Sequence, residues 1–139
     1  MSIHRRKATE TRSRPQYKEY DLQVTIADYL RRRHPSVLFN SDIKGSVKLN
    51  VRQAARMKKL YCNDFAMPDL MIFEPRKGKA GLALELKAEN PFKKDGTLKK
   101  SEHLERQQMA LARLIERGYA AHFVWDTGQA IQLIERYLG

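Results

Sequence analysis

The sequence predicts an α/β sandwich: one mixed β-sheet flanked by α-helices. Two observations lead there. Segments with apolar residues at helical spacing alternate along the chain with short β-prone runs. Two of those runs, Leu70–Phe73 and Leu82–Lys87, enclose a turn-rich stretch holding Pro75, Gly78 and Gly81, which marks a hairpin. The size fits, since 139 residues are enough for one domain with a real core and too few for two ordinary ones.

Residues 1–16 carry Arg5, Arg6, Lys7, Arg12 and Arg14 with few large apolar side chains, and are expected to form a flexible basic arm ahead of a domain spanning 17–139. Lys18 to Arg33 places Leu22, Ile26, Tyr29 and Leu30 on one helical stripe, with Pro35 after its end. Val37 to Asn40 reads as a short strand. Val51 to Leu60 reads as a helix with Arg52, Arg56, Lys58 and Lys59 on a basic face. After the hairpin, Asn90 to Lys100 is a loop with Pro91, Gly96 and the lysines 93, 94, 99 and 100. Ser101 is suited to cap a helix that runs to about Arg117, where Gly118 stops it. Ala120 to Trp125 is the next strand, and Thr127 is placed to cap a last helix reaching Tyr137.

Lys plus Arg is 27 against 16 Asp plus Glu, a formal net charge of +11. A small protein this basic is suited to a polyanion, nucleic acid above all. Cys62 is the single cysteine, which excludes an internal disulfide and a cysteine-based zinc cage. No apolar run approaches the roughly 20 residues needed to cross a bilayer. The N-terminal charges precede no apolar stretch of the secretory kind. The expectation is a cytoplasmic protein, of a bacterial or phage-infected cell, with no membrane partner.

The chemistry concentrates in the hairpin. Glu85 and Lys87 are two apart on a strand, so they share a face, while Leu84 and Leu86 take the other. A turn centred on Lys77 and Gly78 sets Asp69 about opposite Leu86, a bulge shifting this by one residue. Asp69 thus comes close to the pair. Neighbouring carboxylates repel, and a hard divalent cation relieves that repulsion. Mg²⁺ takes oxygen ligands and keeps several waters, so Asp69, Glu85 and the backbone carbonyl of Leu86 make an adequate set. The ion would stabilise charge on a phosphate and acidify a bound water, with Lys87 orienting that water or stabilising the developing charge. Phosphodiester hydrolysis needs these parts. An E-x-K pair alone is weak; Pro68-Asp69 before one strand with E-x-K on the next is much more specific.

Gln107 falls on the apolar stripe of Leu104, Leu111 and Leu114, and Gln108 is similarly placed, so the pattern does not choose between them. Glu19 leads the stripe of Leu22, Gln23 and Ile26, and by itself reads as a helix-edge residue in water.

Taken together, Glu19-x-x-x-Gln23, Ala54-Ala55-Arg56, Met67-Pro68-Asp69-Leu70, Leu84-Glu85-Leu86-Lys87, and Gln107 with Leu114 and Gly118-Tyr119 resemble the virus-type replication-repair nuclease family, VRR-NUC, within the PD-(D/E)xK superfamily. The likeness runs from about Glu19 to Tyr137. It implies a PD-(D/E)xK nuclease fold. By it, Asp69, Glu85 and the Leu86 carbonyl hold Mg²⁺ or Mn²⁺, Glu19 reaches the metal or its water shell, Lys87 is catalytic and Gln107 supports the site. Gln107 is selected over Gln108 by its distance from Gly118-Tyr119. Stand-alone members resemble Holliday-junction resolvases and are expected to be dimers; members in larger chains cut flaps, ends or other repair intermediates. Two departures stand out: Asp64-Phe65-Ala66-Met67 replaces the family's usual glycine approach to the Pro-Asp step, and the basic arm and lysine-rich loop are additions.

The expected activity is a metal-dependent endonuclease on branched DNA, working as a homodimer, with Arg5, Arg6, Arg12, Arg14, Arg52, Arg56, Lys58, Lys59, Lys93, Lys94, Lys99 and Lys100 on the backbone phosphates. The alternatives are a flap- or end-cutting repair nuclease and a catalytically weak DNA-binding module. The intact acids argue against the last, since a binder has no use for them. A basic RNA-binding scaffold would interleave aromatics with its basic patches; the lysine loop has only Phe92 and the arm has none before Tyr17.

Overall fold

The computed structural model describes residues 15–42 and 48–139. Arg5, Arg6, Arg12 and Arg14 lie outside the described residues. The elements are α1 (Pro15–Arg33), β1 (Phe39–Ser41), α2 (Val51–Lys58), β2 (Leu70–Ile72), β3 (Leu82–Leu86), α3 (Glu102–Glu116), β4 (Ala120–Val124) and α4 (Thr127–Leu138). This is the element order that the sequence patterning predicts. Pro15 and Gln16, assigned above to the arm, are already helical.

The four strands form one sheet in the order β1-β2-β3-β4. β1 with β2 and β2 with β3 are antiparallel, and β3 with β4 is parallel. The parallel pair requires a crossover, which α3 provides.

The β2–β3 turn is tight. Arg76 and Lys79 exchange backbone hydrogen bonds of 3.1 and 2.8 Å, with positive φ at both Lys77 (51°) and Gly78 (76°). That is the conformation a two-residue hairpin turn needs. Ile72, however, pairs with Leu82, so residues 73–75 on one side face only 80 and 81 on the other. The extra residue is the bulge that the hairpin count allowed for. Continuing the pairing of Leu70 with Leu84 brings Asp69 level with Glu85, not Leu86.

Each side of the sheet has its own core. Leu70, Ile72, Leu82, Leu84 and Leu86 pack with Leu22, Ile26 and Leu30 of α1 and Ala130, Ile134 and Tyr137 of α4. Each buried Leu or Ile there contributes about 1.5–3 kcal/mol. On the other side Met71, Ala83, Ala121 and Phe123 pack with Leu111 of α3. All five β3 residues are therefore buried, including Glu85 on the face that carries the charged pair. α3 covers that face.

Local chemistry fixes the helix ends. The Ser101 side chain accepts from Leu104 N–H to start α3, and Gly118, at φ 89°, turns the chain after it. α4 is capped by Asp126, whose carboxylate accepts from Gln129 N–H, in place of Thr127. α2 has a reciprocal capping box between Asn50 and Gln53 and buries none of its residues.

Candidate active site

The candidate site lies where β2 begins and β3 ends, between the N-terminal half of α1 and the first turns of α3. Asp69 is half-buried, and its Oδ2 accepts a 2.8 Å hydrogen bond from Leu86 N–H. Its backbone is pinned as well. The Asp69 carbonyl accepts from Ser41 Oγ (2.8 Å) and Asp42 N (3.0 Å). Gln23 of α1 braces the same junction, donating to Ser41 Oγ (2.7 Å) and to the Asp42 carbonyl (2.6 Å). A helix, an edge strand and β2 thus fix where this carboxylate sits.

Glu85 is only 4% exposed. Its Oε1 accepts from Gln107 Nε2 at 2.8 Å. Burial first, then the charge and hydrogen bond of the adjacent Asp69 carboxyl, drive the Glu85 pKa up to about 10; Lys87 opposes this. Burial and the Asp69 carboxyl both favour the protonated form of Glu85.

Lys87 leaves the strand end on the same side. Its Nζ donates to Gln107 Oε1 at 3.1 Å and lies 3.8 Å from Glu19 Oε1. Gln107, 7% exposed, thus joins the acid to the lysine, while Gln108 is exposed. The same Gln107 Nε2 lies 3.1 Å from His103 Nε2, one turn earlier on α3. Glu19 also accepts from Ala88 N–H at 3.3 Å. Its carboxylate is engaged by Lys87 and the chain beyond β3.

Asp69, Glu85, Lys87, Gln107 and Glu19 are therefore brought together from four elements or their ends, with the Leu86 backbone between the acids and the lysine. Gln23 and His103 belong to the same constellation, and sequence pattern does not pick them out as site residues. Each stands four residues from one that the family resemblance names, Gln23 after Glu19 and His103 before Gln107, a spacing that shares a helix face.

Among the described residues no three His, Cys, Asp or Glu side chains converge to hold a metal ion. Two adjacent carboxylates, one of them deeply buried, nevertheless suit a hard divalent cation that takes its remaining ligands from backbone carbonyl and water.

A cleft of about 330 Å³ opens beside Lys87, lined also by Lys18, Glu19, Lys99 and His103. This puts one lysine of the basic loop beside the constellation. Lys93, Lys94 and Lys100 are exposed on that loop, and Arg52, Arg56, Lys58 and Lys59 are exposed on and just after α2.

No protein-family model matches the chain, and no curated protein does. Among solved structures it is similar to a VRR_NUC domain protein at 19% sequence identity, with a TM-score of 0.62 over 87% of this chain and 88% of that one. No helix among the described residues is long and apolar enough to cross a membrane. The chain thus has the mixed-sheet α/β fold of a VRR_NUC domain protein.

Proposed function

We propose that this chain is a divalent-metal-dependent endonuclease that hydrolyses phosphodiester bonds in DNA. The observation that carries the reading is the contact of the Asp69 and Glu85 carboxyls, with Lys87 tied to Glu85 through Gln107. Burying an acid beside another acid destabilises the fold, and aliphatic side chains would fill the space at less cost. The arrangement is explained if the pair binds a cation.

Asp69 and Glu85 would hold Mg²⁺ or Mn²⁺ with the Leu86 carbonyl. When bound, the ion supplies positive charge against the phosphate and a more acidic water. Lys87 offers up to three donors and would orient the attacking water or stabilise charge on a phosphate oxygen. Gln107 keeps Lys87 from collapsing onto Glu85 by accepting from one and donating to the other. Glu19 faces Lys87 and acts on its position, with any contact to the ion running through water.

The net charge of +11 suits DNA. α2 supports this further, because a helix that buries nothing yet carries Arg52, Arg56 and Lys58 is a surface for a polyanion. We take four-way junctions and other branched DNA as the preferred substrates and a symmetric dimer as the working unit, since paired cuts need two sites. In α4, Ile134 is fully buried and Leu133 and Leu138 pack on their own core, so they are not free for a partner. We take the edge of β4 as the dimer surface, where a groove of about 500 Å³ is lined by Phe92, Phe123 and Trp125.

The test is cleavage of labelled four-way junctions, flaps, single strands and linear duplex, with Mg²⁺, with Mn²⁺ and with chelator, beside an Asp69→Ala control. The expected result is metal-dependent cutting, strongest on branched DNA and absent from the control. Equal cutting by the control, or none on any DNA, overturns the reading. Sedimentation with and without junction DNA tests the dimer; a monomer throughout would leave a nicking or flap-cutting enzyme.

A further inference from the structure

Gln107 makes three polar contacts with one amide, and together they dictate a state of His103. Lys87 Nζ carries only donors, so the atom 3.1 Å from it must be the Gln107 oxygen. The amide nitrogen then faces Glu85 Oε1 at 2.8 Å and His103 Nε2 at 3.1 Å. An amide nitrogen has two hydrogens and accepts none. With one hydrogen on Glu85, the other points at the ring, so Nε2 must be the acceptor and the ring proton sits on Nδ1. Turning the amide over would set its N–H groups against the ammonium of Lys87.

We propose that His103 is a positioning residue for the nuclease reaction: its neutral ring, accepting at Nε2, latches the Gln107 amide in the one orientation that serves both Glu85 and Lys87. The inference rests on the nuclease reading for its effect on rate, but its structural content stands without it. His103 is exposed, contributes no apolar packing to the buried clusters, and opens onto the cleft beside Lys87. Its role is therefore separable from folding. A second use for an exposed histidine next to Lys18 and Lys99 is as a cation for a DNA phosphate, and the two roles demand opposite chemistry at Nε2.

Three substitutions separate them. His103→Gln places an amide oxygen at the Nε2 position and keeps an acceptor. His103→Leu keeps the bulk and removes it. His103→Lys presents only donors. The latch predicts a single-turnover rate about tenfold lower for His103→Leu, in the range typical of groups that orient a metal site. His103→Lys should be at least as slow, and His103→Gln should restore the rate to within about twofold. DNA affinity should stay level across the series. Wild-type rates in both His103→Leu and His103→Lys, with Glu85→Ala inactive, would overturn the latch alone. Cutting by Glu85→Ala would overturn the nuclease reading instead. Tighter DNA binding in His103→Lys with an unchanged rate would assign His103 to phosphate contact. Independently of activity, long-range ¹H–¹⁵N spectra of the wild-type ring should show the Nδ1–H tautomer. An Nε2–H tautomer in the folded protein would contradict the proposal directly.

Discussion

β3 faces two environments. Toward α1 and α4 it presents Leu82, Leu84 and Leu86, each 1% exposed or less, in a wholly apolar layer. Toward α3 it presents Ala83, then Glu85, and the layer changes from aliphatic to polar within one residue pair, ending on Glu85 and Gln107. The first face is what a stable sheet needs. The second gives up stability at one end, and the polar groups there are all hydrogen-bonded, with no orphaned buried side-chain atom among the described residues.

Substitution on each face should separate the two roles. Glu85→Ala or Asp69→Ala should lower single-turnover cleavage by about 10³-fold, the upper range for removing one group that stabilises transition-state charge. DNA affinity should be unchanged or improved, since an anion facing phosphate has gone. Strong cleavage by either purified variant would break the contrast at its polar end. On the other face, Leu84→Ala should destabilise the fold by about 2–5 kcal/mol, read from urea unfolding, because a fully buried side chain leaves a cavity. The rate per folded molecule should hold.

Glu85→Gln sharpens the comparison. The folded pKa of Glu85 is raised, so its protonated form is the one the fold favours. Stability from this group is complete below its unfolded pKa and is lost as pH rises toward the folded one. An amide mimics the protonated acid at every pH. Metal-free Glu85→Gln should therefore be more stable than wild type at pH 8 by on the order of 1–3 kcal/mol, with the gain fading near pH 4. Equal melting curves at both pH values would mean that the buried acid costs nothing. The smallest effect belongs to α2. Neutralising Arg52 or Arg56 should reduce the log–log salt slope of duplex binding by about 0.9 for each phosphate that the side chain no longer neutralises. The unfolding free energy should not move, since neither residue is buried.

Much of this is legible in the sequence because periodicity and turn chemistry are local. The helical stripe of Leu22, Ile26 and Leu30 and the Gly118 stop point to their elements without tertiary information. Glu85 and Lys87 share a side because a strand has a period of two. What escapes depends on packing across the fold. The extra residue at 73–75 shifts Asp69 by one register position, as no single-strand pattern can reveal. Strand alternation gives the face that Glu85 takes but not its burial, which comes from α3, a different part of the chain. Gln107 and Gln108 are equivalent on an apolar stripe until α3 is rotated against the sheet, which buries the first and exposes the second. His103 and Gln23 act through other side chains, so their roles appear only once their partners are in place. Asp126 caps α4 although it and Thr127 are both good caps, and the chain's exit from β4 chooses between them.

On the proposed reading, Asp69 and Glu85 bind a divalent cation in exchange for the proton that burial favours on Glu85. Calorimetric titration of the metal-free protein with Mn²⁺ at pH 7.5, in buffers of different ionisation enthalpy, tests it most directly. The expected result is one site per chain, with an apparent enthalpy that changes with buffer because Glu85 gives up its proton on binding. In Glu85→Gln the affinity should drop at least about tenfold and the buffer dependence should vanish. Equal Mn²⁺ binding in the two proteins, or none in wild type under conditions where it cleaves DNA with Mn²⁺, would contradict the claim.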